Sequence, residues 1–218
     1  MERFQTKHGE AKPKASLMKG ILLNTARDLG NPGPDYVFGY GIPQAPAAIQ
    51  AIDAKQYVMG KLTEGEARHT ITVPAGSGAL RVMLVWTDAP GAPESASSLV
   101  NDLDLSVVQG EGAAVLPWTL DPRNPGADAR RAANRRDNVE QVVIPNPAEG
   151  EYVAVVRAAR GLDGEQEYAL TWTFEAVEAA PCVATLTSSV LNVGEQGGTI
   201  PVALTQANHC EAADVENP

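Results

Sequence analysis

The spacing of apolar positions changes twice along the chain. In KASLMKGILLNTARDLG, residues Leu17, Met18, Ile21, Leu22, Ala26 and Leu29 recur at helical spacing. Pro13 suits a first turn, Gly30 a left-handed cap and Pro32 a stop. The glycine-rich turn FGYGIPQAP follows, and APAAIQAI reads as a second short helix. From about Lys55 to Glu178 the period drops to two. HTITVP, LRVMLVW, DLDLSVV, NVEQVVI, YVAVVRA and EYALTWTF alternate or run continuously β-branched, as strands do. Leu80, Val82, Leu84 and Trp86 fall on one face, and so do Tyr168, Leu170, Trp172 and Phe174. Clusters such as PAGSG, DPRNPGAD, NPAEG and GLDGEQ separate the runs as turns. After EAAPCVATL, the segment SSVLNVGEQGGTIPVALTQANHC is again β-like, with a turn at Gly197 and Gly198.

The expected fold is mainly β: an antiparallel β-sandwich or jelly roll over residues 55–178, preceded by a short helical segment, 1–54. Residues 179–218 hold only a few strands. A two- or three-strand unit is marginal in water, so this tail reads as the beginning of a further β module, or as a strand belonging to the sandwich. The helical segment poses a separate problem. One amphipathic helix, a turn and a short helix cannot enclose a core. Burying one Leu or Ile stabilises by ~1.5–3 kcal/mol, so their apolar faces need cover. The pattern favours a partner outside the chain over the chain's own sheet.

Charge narrows the function classes. The 218 residues carry a formal charge of −10, which argues against nucleic acid as the default partner. The one basic run, Arg130, Arg131, Arg135 and Arg136, has no interleaved aromatics. No stretch approaches the ~20 apolar residues of a membrane span. The leader MERFQTKHGEAKPK is charged and polar, unlike a signal peptide. Cys182 and Cys210 make no metal framework; they form one disulfide or stay as two unrelated thiols.

Catalytic constellations are hard to find. The histidines are His8, His69 and His209. His69, in ARHTITV, reads as solvent-facing. None has a nucleophile motif beside it, and no HExxH, GxGxxG or Walker loop occurs. A paired-carboxylate glycosidase has no pair singled out. The acid in SLVNDLDLSVV is more informative. Asp102 and Asp104 lie two apart on a strand and share a face. Such carboxylates repel unless a cation or N–H donors compensate them. One solution is a structural ion pair with Arg135 or Arg136. The other is Ca²⁺, which takes six to eight oxygens, with Asp88, Asp121, Asp137 and Asn138 as further donors.

Two long blocks carry a resemblance. KASLMKGILLNTARDLG with GPDYVFGYGIPQAPAAIQAI resembles the last helix, glycine turn and closing helix of a subtilisin-like serine peptidase domain. The succession LRVMLVWTDAPG, SLVNDLDLSVV, PWTLDP and RRDNVEQVVIPNPAEGEYVAVVRA resembles the C-terminal jelly roll of those enzymes, itself similar to the P-domain of kexin-like proteases. The resemblance covers about residues 15–174. It implies the non-catalytic C-terminal portion of a secreted endopeptidase acting on protein substrates. The helices would then be the remnant of an α/β catalytic domain whose larger part is the missing partner. No residue here matches the family's Asp, His or Ser triad, so this chain would be inactive alone. The resemblance also implies structural calcium, with Asp102, Asp104, Asp137 and Asn138 matching the family blocks. The rival expectation is a free-standing glycan- or surface-binding module. It needs exposed aromatics, and Trp86 and Trp172 lie in core phase, leaving Trp118.

Overall fold

The structure, a computed structural model, describes residues 1–9, 11–94 and 99–176, together with the strand backbones Val183–Leu186 and Leu204–Ala207. The chain divides into two compact units, Met1–Val177 and Glu178–Pro218. The first unit contains three helices, α1 (Glu2–Lys7), α2 (Ala15–Asn24) and α3 (Ala45–Asp53). Nine strands follow: β1 (Tyr57–Leu62), β2 (Glu66–Val73), β3 (Ser77–Trp86), β4 (Leu103–Val108), β5 (Trp118–Thr119), β6 (Arg130–Arg131), β7 (Val139–Pro145), β8 (Gly150–Ala158) and β9 (Gln166–Ala176).

All pairings are antiparallel. One sheet has the order β1-β9-β3-β7, the other β2-β8-β4, and β5 pairs with β6 as a short ribbon. The two larger sheets face each other as a β-sandwich. Leu80, Val82, Leu84 and Trp86 of β3 pack with Tyr168 and Leu170 of β9 against Ile71, Leu103, Leu105, Val107, Tyr152 and Val156 of the opposite sheet. Register places Val82 beside Trp172, Leu84 beside Leu170 and Trp86 beside Tyr168. The alternation in β4 is clean, with Leu103, Leu105 and Val107 inward and fully buried.

β3 does not alternate, because both of its faces are covered. Met83 and Val85 point away from the sandwich core and are fully buried with Val139 of β7, packed by Leu23 of α2 and Tyr40. Ala169 of β9 is buried among Leu17, Ile21, Ala48, Ala51, Ile52 and Phe4 of the three helices. A run that reads LRVMLVW is what two-sided burial demands.

This corrects the expectation of an external partner for the helical stripe. Leu17 and Ile21 are each 1% exposed, sealed by the chain's own sheet and by α3. Met18 and Leu29 are half-buried, and Leu22 alone of the stripe stays exposed. Close approach is possible because Gly20 faces the sheet. A Cβ there would lie 3.2 Å from Thr171 Cγ2 and 3.4 Å from Val85 Cγ2. Asn24, with no exposed surface, pins the helix end. Its Nδ2 donates to the carbonyls of Arg81 and Thr171, and its Oδ1 accepts from Gln141 Nε2.

The leader adds a helix to the helical segment, and the expectation for His69 changes. The polar leader forms α1, anchored by buried Phe4 and by an Arg3–Asp53 ion pair of 2.6 Å. His69 shares the inward phase of Ile71 and Val73 on β2. It is half-buried and meets the Tyr168 hydroxyl at 2.8 Å. In the second unit β10 (Val183–Leu186) pairs antiparallel with β11 (Leu204–Ala207), with Val183 opposite Ala207. Cys182, His209 and Cys210 lie outside the described residues.

Candidate functional site: an acid cluster, a tryptophan clamp and an apolar finger

The acid cluster is built where β3 ends and β4 begins. Asp88 gathers the returning loop: its carboxylate accepts the N–H groups of Ala89, Val100 and Asn101 at 2.7–2.9 Å. Asn101, 2% exposed, is a junction. Its carbonyl accepts the Trp86 indole N–H at 3.0 Å, its Nδ2 donates to Gln166, and its Oδ1 accepts the Asp163 N–H. The next residue, Asp102, is therefore carried into the interior and is 4% exposed.

From the other side come β7 and the turn before it. Asn134 shapes that turn by accepting the Arg136 N–H and donating to Asp137 and to the Val139 carbonyl. The turn presents Arg135, whose Nη1 bonds Asp104 and lies 3.6 Å from Asp102 Oδ2. Glu140 on β7 sits opposite Leu84 and has no exposed surface. Its Oε2 accepts the Leu105 N–H at 2.6 Å, capping a donor on the free edge of β4. Sequence reading overlooked Glu140. The signal was its phase: it shares a face with core residue Val142.

Electrostatically the cluster is strained toward neutrality. Burial holds the Glu140 carboxyl well above its ordinary value, with Asp104 and Asp102 pushing the same way and the Leu105 N–H and Arg135 opposing. Burial also raises Asp102, against the pull of Arg135. Asp102 Oδ1 and Glu140 Oε1 are buried without a hydrogen-bond partner among the described residues.

Of the four expected calcium donors, Asp102 and Asp104 come together, at Arg135. Asp137 and Asn138 bond elsewhere. Asp137 accepts from Asn134, while Asn138 donates to the Trp86 carbonyl at 2.7 Å and accepts from Lys19. Asp121 caps the Arg123 N–H in its own turn. Among the described residues, no group of three or more His, Cys, Asp or Glu is placed to hold a metal ion. Arg135 lies against Asp102 and Asp104, while Asp137 and Asn138 are bonded to other partners.

Asp137 and Asn138 instead line a cleft of about 350 Å³ with Lys19, Leu23, Tyr40, Trp118 and Asn134. Burial raises the Tyr40 phenol, and the charges of Asp137 and Glu140 add to it. Trp118 is clamped. The Arg131 guanidinium lies 3.8 Å from the indole centroid, and a Cβ on Gly33 would approach the ring to 3.0 Å.

Between α2 and α3 the chain makes a finger. Arg27 pairs with Ile42 and Asp35 with Gly39. The Asp35 carboxylate accepts the N–H groups of Val37 at 2.8 Å and Phe38 at 2.6 Å. The Phe38 N–H chiefly holds that carboxyl below its ordinary value. The tip so fixed exposes Tyr36 at 50%, Val37 at 80% and Phe38 at 49%.

No family model and no curated protein matches the chain. Solved structures that do match include a Bacillus licheniformis lipase, BlEst2 in propeptide form, at 13% identity and a TM-score of 0.35, over 55% of this chain and 21% of the lipase. Another is Aeromonas hydrophila PliG, a periplasmic inhibitor of g-type lysozyme, at 19% identity and a TM-score of 0.28, over 54% of this chain and 84% of the inhibitor. The matched part thus spans about a fifth of the lipase's own length. At these TM-scores neither likeness bears on function.

Proposed function

We propose that this chain is a non-catalytic docking module of a secreted subtilisin-like serine endopeptidase, stabilising the catalytic domain and helping to hold protein substrates near it. The observation that carries the reading is the finger. Three large side chains at its tip face solvent, while Asp35 fixes the backbone beneath them. Ordering such a tip in advance removes an entropy cost from binding, and aromatic anchors dominate interfaces. The finger is the GPDYVFGYG block that resembles the glycine turn of subtilisin-like domains. The described histidines give no support to turnover by this chain, since His8 and His69 are each bonded to a tyrosine hydroxyl.

The rival reading, a glycan-binding module, draws on Tyr36 and Phe38, since Trp118 is clamped. The most exposed residue between those rings is the aliphatic Val37, which suits a protein surface better than a sugar. The test is to mix the chain with a subtilisin-type catalytic domain from the same source. Expected results are no casein hydrolysis by the chain alone, a raised Tm of the catalytic domain in the mixture, and loss of that effect in Val37→Asp. Hydrolysis by the chain alone, an unchanged Tm, or capture by insoluble polysaccharide through the same tip overturns the proposal.

A further inference from the structure

The finger stands beside a hollow of matching chemistry. Its stem, at Pro34, Asp35, Gly39 and Tyr40, forms one wall of the cleft of about 350 Å³. Leu23, Trp118 and Val139 add apolar surface to the other walls. The tip residues are not in that lining. Val37 leads at 80% exposure, with Tyr36 beside it at 50%. Phe38 is braced: a Cβ on Gly30 would lie 2.9 Å from its ring. A finger cannot enter the cleft whose wall it forms. Within one chain, therefore, the tip and the cleft leave each other uncovered.

We propose that the chain pairs with a second copy of itself, each finger tip entering the other copy's cleft. A two-fold contact needs one patch that is complementary to itself, and a knob next to a hollow is such a patch. The contact is then made twice. An unrelated partner would have to bring both a knob and a hollow at the same spacing. An aromatic side chain buries ~150–250 Å², and the cleft is at the small end of ligand-sized hollows, which suits one such side chain. Two tips and two clefts together cover on the order of 1,000 Å², the size of weak, reversible complexes. Charge opposes the pairing, because each copy carries −10, and salt screens that repulsion. The inference rests on the finger and the cleft, not on the protease reading. In that reading, self-pairing covers the tip when no catalytic domain is at hand.

Sedimentation velocity of the whole chain tests this. Expected is a monomer–dimer equilibrium with a Kd on the order of 10–100 μM, tighter at about 0.5 M salt than at about 0.05 M. Val37 and Lys19 are both exposed, so the fold tolerates changes there. Val37→Asp puts a charge on the tip, and Lys19→Trp fills the cleft from its rim. Each is expected to weaken pairing at least ~10-fold. The amide resonances of Thr119 and Val139, in the cleft, are expected to shift with concentration in wild type and to stay still in Val37→Asp. A chain that stays monomeric up to about 1 mM overturns the proposal. So does a dimer that salt dissociates, since charge and not apolar contact would then hold it. A dimer that Lys19→Trp leaves intact also overturns it, because the fingers would then meet each other and not the clefts. A monomeric chain that still raises the catalytic domain's Tm defeats this inference and leaves the docking reading standing.

Discussion

Glu140 has no exposed surface, yet it is a carboxyl near the start of β7, between Val139 and Gln141. Its carboxyl serves two sheets at once, belonging to β7 and accepting the Leu105 N–H of β4. Burial raises its pKa above that of the unfolded chain, ~4.3. A raised carboxyl favours folding fully below the unfolded value, and that contribution is lost as pH climbs through the folded one. Glu140→Gln keeps an acceptor for Leu105 and removes the buried charge. Urea midpoints are expected to match wild type near pH 4 and to exceed it at pH 8. Equal midpoints at both values would show that Glu140 carries no such penalty. His69 works with the opposite slope. Burial lowers its pKa from the ordinary 6.5, so stability is full above that value and declines as pH falls below it. His69→Gln is expected to flatten the urea midpoint between pH 7 and pH 5.

At the scale of elements, the decisive contact is α2 on the outer face of β3 and β9. Leu17 and Ile21 are as buried as the sandwich core. Leu17→Ala is therefore expected to destabilise the first unit by ~2–5 kcal/mol in denaturant titration of the isolated chain. A stripe that waited for an external partner would show almost no change. The strand pattern was readable because β4, β8 and β9 each bury one face against the sandwich core. The place of α2 was less so. Its stripe reads the same whether the cover is a foreign domain or the chain's own sheet. The missing clue was in β3, where Met83 and Val85 interrupt the alternation and call for cover on a second face. Asp102 and Asp104 were readable from their two-residue spacing, and Arg135 as one of two candidate partners. Glu140 was hidden because a lone Glu beside Gln in NVEQVVI looks like a solvated strand edge. The split of Asp137 and Asn138 from Asp102 depends on how the Asn134 turn folds, which spacing does not encode.

At the scale of the first unit, these contacts make residues 1–54 part of the sandwich rather than a separate body. Met83, Val85, Val139 and Ala169 have at most 5% exposure because the helices and Tyr40 lie over them. Removing residues 1–54 would open that whole sheet face to water. At ~25 cal/mol per Å² of apolar surface, one bare sheet face is comparable with a domain's entire net stability. The expected outcome is that fragment 55–177 binds a hydrophobic dye and shows no cooperative melt, while the full chain melts the helices and sandwich together. Probing α2 and the sheets separately decides it: hydrogen exchange should protect Ile21 and Leu84 amides to the same free energy. A fragment that melts at the full chain's temperature would mean the helices merely rest on the sheet. Their buried stripe would then be available to another protein after all. In the coupled case the apolar side chains left exposed among the described residues include Tyr36, Val37 and Phe38 of the finger, Leu22, Ile49, Met59 and Leu116, and docking mutations belong among them.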